Sequence, residues 1–301
     1  VFEDTTRQFM PPLTEQGSLR SEAWAWGDGE RGCVVIKYNN RDIELSVAQP
    51  DPGEGGRWLR FGGAGFCLYG EPAGARRLEP GRAFTFGTTT YLPYQNGIRE
   101  AFELYRDFLD ERGHSFPADY NPPVNWNELY DIGWHHSRPQ DLQRYYTREA
   151  LLVEAGKAKE IGCDLLYLDP GWEVCEGTTL WDESRLGPIE NLVKTLKRDY
   201  GLDLGFRTIL RTYQNLWSEK YLVKHHDGPY EPIEFGDQYF WEVCACNPDF
   251  WEEKLRRILN ISRKGIRFIM VDEFDWRGPC FCTEHGHPVP TTPLDHANAV
   301  Y

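Results

Sequence analysis

The chain is 301 residues long, 40% hydrophobic and 27% charged, with a formal net charge of −14. That length can bury one large core or two ordinary ones, and the acidity argues against a nucleic-acid partner or an anionic membrane surface. No apolar run reaches the length of a spanning helix and the start does not read as a signal peptide, so the compartment stays open.

Residues 1–95 hold short runs of alternating apolar residues, among them GCVVIKYNN, RDIELSVAQ, RWLRFGG, GFCLYGE and AFTFGTTTYLPY, separated by Gly, Pro and Asp. β-Branched and aromatic residues at period two, bounded by turn formers, predict antiparallel strands. Within 96–123, GIREAFELYRDFLDERG places Ile98, Phe102, Tyr105, Phe108 and Leu109 at helical spacing and stops at Gly113; HSFPADYNPP then reads as a linker. Across 124–301 strands and helices alternate. PPVNWNELYDI supplies a first strand, REALLVEAGKAKEIG a helix, CDLLYLDPGW a buried second strand, IENLVKTLKRDYG a helix and LDLGFRTIL a third strand. SEKYLVKHH predicts a short helix, NPDFWEEKLRRILNISRKG a long one with Asn247 as N-cap, and IRFIMVDEF a fourth strand. Such alternation implies a parallel sheet covered by helices. The Asn-Ile-Ser sequon at Asn260 lies inside the long helix and is discounted.

In α/β architectures the working residues gather at the carboxyl ends of the strands. The fourth strand runs straight into Asp272, Glu273 and Asp275. Clustered carboxylates after a buried strand repel one another and cost desolvation, so they ask for a purpose. Period two puts Phe268, Met270 and Asp272 on one face and turns Glu273 and Asp275 to the other. A strand end holds a carboxylate rigidly enough for glycosidic chemistry; helix capping or pairing with Arg267 and Arg277 is the plain alternative. Arg207 leaves the third strand opposite Phe206 and could steady such a carboxylate, grip a sugar oxygen, or sit in a surface pair. The chain is 14% aromatic, which suits the stacking of pyranose faces and equally suits a large core.

In order and spacing, PPVNWNELYD, GCDLLYLDPGW, LWDESRLGPIENLVKTLKRDYGLDLGF and NPDFWEEKLRRILNISRKGIRFIMVDEFDW resemble clan D glycoside hydrolases, above all the family 36 α-galactosidases. The resemblance covers roughly residues 75–276. It implies an α/β chain in which an N-terminal antiparallel β-sandwich portion (1–95) and a helix with linker (96–123) precede the first half of a (β/α)8 barrel (124–301), about four βα units. It implies Asp272 as catalytic nucleophile and Asp169 as the first Asp of the family's Asp-Asp-Gly-Trp motif, which holds sugar hydroxyls and continues here to Trp172. It further implies Trp126 after the first strand, and Trp181 with Asp182, as pocket residues. For Asp169 an Asp-Pro-Gly turn is the plain alternative, and for each Trp a place in the core.

Three departures bear on specificity. Pro170 replaces the motif's second Asp, Met270 replaces a Lys that contacts the sugar, and GDQYFWEVCACNP lacks the Arg expected ahead of the long helix. The implied activity is a retaining glycoside hydrolase acting on an α-linked hexose, without organic cofactor and with an oligosaccharide or glycoside as substrate. A barrel needs eight units and the family's general acid comes from a later strand, so the chain is expected to be a fragment that works with the remainder of its polypeptide or as a homo-oligomer. A carbohydrate-binding or structural protein that keeps the fold without catalysis is the rival reading, and use of Glu273 in place of Asp272 is a third.

The eight cysteines include two Cys-x-Cys pairs, Cys244–Cys246 and Cys280–Cys282, the second followed by His285 and His287. Cys280, Cys282 and His285, completed by Cys246 (or by Cys175 or Cys244), suit a structural tetrahedral Zn²⁺. Disulfides between the pairs, or free thiols, are the alternatives.

Overall fold

A computed structural model of the protein describes residues 19–40, 46–50, 57–61, 67–68, 71–72, 80–83, 85–212, 216–226, 228, 232–235, 238–274, 276 and 278–300. Asp275 and Arg277, and most of the expected runs at 41–49 and 65–71, lie outside the described residues. The chain divides into two compact units, one spanning 1–120 with 292–295, the other 121–291 with 296–301.

The first unit carries antiparallel strands β1 (Leu19–Ser21), β2 (Ala23–Gly27), β3 (Gly32–Tyr38), β4 (Ser46–Pro50), β5 (Arg57–Phe61), β6 (Cys67–Leu68), β7 (Glu71–Pro72) and β8 (Thr88–Tyr94), then helix α1 (Ile98–Leu109). They pair as β1-β4-β5, β2-β3-β8 and β6-β7. The β2–β3 hairpin is closed by Asp28, whose carboxylate accepts from the backbone N–H groups of Glu30 and Arg31 at 3.0 and 2.8 Å. The inward residues Val34, Ile36 and Tyr94 pack with Ala101 and Phe108 of α1. Helix α1 begins where Glu100 turns back to accept from the N–H groups of Gln95 and Asn96, satisfying donors that would otherwise be orphaned by the turn.

In the second unit, strands β9 (Asn125–Asn127), β10 (Leu165–Leu168), β11 (Asp203–Thr208) and β15 (Ile266–Val271) form one sheet in the order β15-β11-β10-β9. All three pairings are parallel, as the alternation of apolar runs predicts. The connections hold helices α2 (Leu129–Ile132), α3 (Pro139–Tyr145), α4 (Arg148–Glu160), α5 (Glu183–Leu186), α6 (Ile189–Thr195) and α7 (Pro248–Ser262), with α8 (Pro293–Val300) near the end. The sequence predicts α4, α6 and α7; it leaves α3 unmarked. Thr147 caps α4 by accepting from Ala150 N–H, and Asn247 caps α7 by accepting from Asp249 N–H.

The core lies between sheet and helices. Leu166, Leu168, Leu204 and Phe206 meet Leu151, Ala155, Ala158, Leu192 and Leu196, and each of the larger side chains contributes about 1.5–3 kcal/mol by leaving water. Burying that face aims the opposite ends of the strands at a common point, because parallel strands must all finish on the same side of the sheet.

Between β11 and α7 the chain makes an excursion that the sequence marks only with a short helix. Strands β12 (Arg211–Thr212), β13 (Ile233–Phe235) and β14 (Gln238–Glu242) form a small antiparallel sheet in the order β12-β14-β13. The short helix expected at SEKYLVKHH is a single 3₁₀ turn over Glu219–Tyr221, after which Leu222 bridges Val243. Burial of Leu222 against Val243 and Phe250 outweighs the local helical spacing.

Gly177 shows how tightly this excursion is packed. Its φ is +87°, and a Cβ there would lie 1.4 Å from the Arg211 carbonyl oxygen. Neither strain nor overlap can be relieved by a rotamer change. Gly177→Ala is therefore expected to destabilise the protein by about 3 kcal/mol or more. Denaturant unfolding reads this, and a midpoint equal to the parent's would refute the close approach.

Candidate active site

One guanidinium organises the ends of the sheet. Arg207, near the end of β11, is buried, and its Nε lies 2.8 Å from Asp272 and 3.5 Å from Asp169. Its Nη1 lies 2.5 Å from Glu176, and its Nη2 lies 3.3 Å from Glu273. The five residues come from three strand ends and one loop: Asp169 follows β10, Glu176 lies in the loop beyond it, and Asp272 and Glu273 follow β15. Four carboxylates around one cation leave excess negative charge, partly answered by Arg211, whose Nε is 3.2 Å from Glu273 and whose Nη2 is 3.3 Å from Glu242. Although burial opposes its charge, Glu176 and Asp272 hold Arg207 above its ordinary value.

A second layer fixes Asp169. Its carboxylate accepts from Asn127 Nδ2 at 2.7 Å, and its backbone N–H donates to both oxygens of Glu128 at 3.0 and 3.1 Å. Glu128 also accepts from the Tyr146 hydroxyl at 2.6 Å. Burial pushes Glu128 up to about 8 and raises Asp169 as well. For Glu176 burial outweighs Arg207 and pushes the carboxyl up to about 8. Burial, then the charge of Arg207, brings His136 down to about 4, with its Nε2 3.2 Å from Glu176. The Tyr167 hydroxyl of β10 is buried without a hydrogen-bond partner among the described residues. The site thus holds several acids that burial has raised, Glu128, Asp169 and Glu176, in one connected cluster, a shift of the kind that general acid–base chemistry draws on.

The structure brings Asp169, Arg207 and Asp272 together. It does not bring Trp126 to them: the indole of Trp126 donates to Glu154 of α4 at 2.9 Å and packs on the helix-side core. Alternation along β9 sends Asn127 to Asp169 instead. Trp172 is fully buried, donates to the Arg207 carbonyl at 3.2 Å and stacks between Trp181 and Phe206. Trp181 donates to the Gly187 carbonyl. Asp182 caps α5, accepting from Arg185 N–H and pairing with the Arg185 guanidinium at 3.0 Å. These four residues are spent on the scaffold.

The expected division between Asp272 and Glu273 also needs correction. Glu273 adopts φ +53°, and its N–H donates to Asp272 Oδ1 at 2.8 Å. The regular strand ends at Val271, so the left-handed residue breaks the alternation and both acids reach Arg207. Asn127, Glu128, His136 and Glu176 are the site residues that sequence reading passes over. Extending the period-two rule from Trp126 to its neighbour would have found Asn127.

The cysteine-rich segment also regroups. Ligand atoms of Cys244, Cys280, His285 and His287 all lie within 4.8 Å of one another. The expected set of Cys280, Cys282, His285 and Cys246 is therefore half replaced. Cys246 stays beside the group, its thiol in hydrogen-bond contact with that of Cys244, and Cys282 packs with Cys244 and Cys280. The thiols of Cys244, Cys246 and Cys280 are not joined in disulfides. A small cleft, open to solvent, is lined by Cys244, Cys246 and Cys280 together with Glu242, Glu273 and Trp276.

No family model and no curated protein matches the sequence. Solved structures do match. An α-galactosidase from Thermus thermophilus in complex with p-nitrophenyl α-D-galactopyranoside aligns over 82% of this chain and 43% of its own, at 14% identity and a TM-score of 0.52. The family 36 α-galactosidase AgaA from Geobacillus stearothermophilus aligns over 94% of this chain and 40% of its own, at 16% identity and a TM-score of 0.54. The Thermus enzyme in complex with stachyose gives a TM-score of 0.56 at 14% identity, over 86% of this chain and 52% of that one. The resemblance to family 36 read from the motifs is thus present in the fold, and the chain spans less than half the length of the first two structures.

The buried acids carry a pH signature. Glu128 has an ordinary value of 4.5 and is raised to about 8 in the folded protein, so the native state binds a proton that the unfolded chain has already lost. Stability from this group is full below 4.5 and is lost as pH rises through about 8. Its slope is at most about 1.4 kcal/mol per pH unit. Glu128→Gln is expected to flatten the fall in unfolding free energy between pH 5 and 8 by up to that slope. Denaturant melts across the range test it; an unchanged slope would mean that Glu128 is ionised in the fold.

Proposed function

We propose that the chain carries the catalytic half-site of a retaining glycoside hydrolase acting on an α-linked hexose, of α-galactosidase type. What supports this reading is the convergence of Asp169, Arg207, Asp272 and Glu273 at the carboxyl ends of parallel strands, in a chain whose fold resembles family 36 enzymes. In this reading residues 124–301 are the first half of a (β/α)8 barrel, residues 1–95 are part of a β-sandwich, and 96–123 join them. The proposed substrate is a glycoside or oligosaccharide.

Asp272 is the proposed nucleophile. Its carboxylate, about half exposed at the strand end, attacks the anomeric carbon, and a second carboxyl group protonates the leaving oxygen. Water then hydrolyses the glycosyl-enzyme. Arg207 orients the Asp272 carboxylate between turnovers. Asp169, fixed by Asn127 and by the Glu128–Asp169 backbone contact, is the proposed acceptor for sugar hydroxyls. Glu273 lies on the same guanidinium and is the competing candidate for nucleophile.

One observation favours a second reading, a carbohydrate binder without catalysis. Asp272 is held at 2.8 Å by Arg207, and Pro170 and Met270 stand where the resemblance expects an Asp and a Lys. Kinetics on the complete polypeptide separate the readings. With p-nitrophenyl α-D-galactopyranoside and related α-hexosides, Asp272→Asn is expected to lower kcat/KM by several orders of magnitude while calorimetry shows sugar binding retained. The same loss in Glu273→Gln with Asp272→Asn near wild type would transfer the role to Glu273. Sugar binding without turnover in the wild type would establish the binder.

A further inference from the structure

We infer that Cys244, Cys280, His285 and His287 form a closed structural Zn²⁺ site that fastens the segment after β15 to the loop before α7. The geometry of these four side chains is independent of the glycosidase reading.

The four ligand atoms lie within 4.8 Å of one another. Two of the separations have the right value for a shared ion. Cys244 Sγ is 3.4 Å from His287 Nε2, and Cys280 Sγ is 3.6 Å from His285 Nδ1. Zn–S bonds of about 2.3 Å and Zn–N bonds of about 2.0–2.1 Å at tetrahedral angles give a sulfur-to-nitrogen edge of about 3.6 Å. Each cysteine–histidine pair therefore stands at one edge of a zinc tetrahedron.

The surroundings are those of a ligand set. His287 Nδ1 lies 2.8 Å from the Pro288 carbonyl. A carbonyl only accepts, so Nδ1 carries the proton and Nε2 presents its lone pair to the group, the outer hydrogen bond that metal-bound histidines use. Cys244, Cys280 and His285 are buried, and His285 turns its Nδ1 toward the Cys280 thiol. The backbone is already tied in place: Cys280 N–H donates to Thr291 Oγ1 at 2.8 Å, Phe281 N–H to the Lys224 carbonyl at 2.8 Å, and Cys244 N–H to the Tyr221 carbonyl at 2.8 Å.

The donor chemistry selects the ion. Two thiolates and two neutral imidazoles suit a borderline-soft cation without geometric preference of its own, and hard oxygen-seeking cations are poorly served. Binding releases the two thiol protons, and the two negative sulfurs then neutralise Zn²⁺, so no net charge is left in a buried place. Four protein ligands leave no open position for water or substrate, which makes the ion structural. Its effect on the neighbouring cleft is positional, because Cys244 and Cys280 line that cleft together with Glu273.

The test is metal content of the complete protein, purified with zinc supplied and then desalted. Elemental analysis should give about one zinc per chain, and cobalt exchanged into the site should show tetrahedral ligand-field bands with thiolate charge transfer. Cys244→Ser and Cys280→Ser should each lower the zinc ratio at least about tenfold, whereas Cys246→Ser and Cys282→Ser should retain it. Should the buried cysteine variants fail to fold, His287→Ala at the rim should still weaken zinc retention against a chelator by at least about tenfold, with the melting temperature of the wild type falling on chelation. Folded wild type holding no zinc above the buffer blank would overturn the proposal. So would a Cys244–Cys280 disulfide in the unreduced protein, or loss of zinc in Cys246→Ser and Cys282→Ser with retention in Cys244→Ser.

Discussion

Arg207 is the residue on which the arrangement depends. A lone buried guanidinium is expensive, and four carboxylates crowded at the ends of a sheet are expensive too. Each makes the other tolerable. The cation is pinned from three directions by acids from three chain segments, so its planar fork sets where those acids can stand. Remove it and Asp169 loses its counter-charge while Glu176 loses the donor that holds it, leaving buried acids of the kind that proteins accommodate by taking up protons or unfolding. The sheet supplies direction, the helices supply burial, and Arg207 converts both into a fixed cluster of oxygens.

The architecture was legible because two periodicities carry it. Continuous apolar runs such as LLYL and FIMV mark parallel strands, the first wholly buried and the second with Ile269 and Val271 exposed, and Asn247, Gly162 and Gly265 punctuate the helices between them. Asp169 and Asp272 were legible for a related reason: charge that follows an apolar run at once must sit at a strand end. What was hidden depended on residues far apart in sequence. Whether a Trp is core or pocket depends on which face its strand buries, and the face of β9 is decided by α4, through Glu154. Asp182 reads like a pocket acid until Arg185, one helical turn on, claims it.

The direction of Glu273 and the full membership of the cysteine group escaped the sequence for a different reason. Alternation is a property of regular strands, and it fails at the first residue with positive φ. For the cysteines, spacing within CFCTEHGH could nominate Cys280 and His285, but spacing does not say which of Cys244 and Cys246 faces them, and His287 is oriented by a single carbonyl at Pro288. Local pattern finds the chemistry; which copy of the residue performs it is a tertiary decision.

The order of strands in the parallel sheet also governs when the site can exist. Strands β9, β10 and β11 are neighbours in both space and sequence, whereas β15 joins β11 only after the chain has travelled through β12–β14 and α7. Closing so long a loop costs entropy before any pairing rewards it, and non-local parallel pairing is slow for that reason. Asp169, Glu176 and Arg207 are assembled by the early part, while Asp272 and Glu273 arrive with the last strand. The acid cluster is accordingly a late event in the folding history. A chain stalled before that closure would have its helices, three strands and Arg207 in place, an unpaired β11 edge inviting other chains, and none of the carboxylates that β15 delivers.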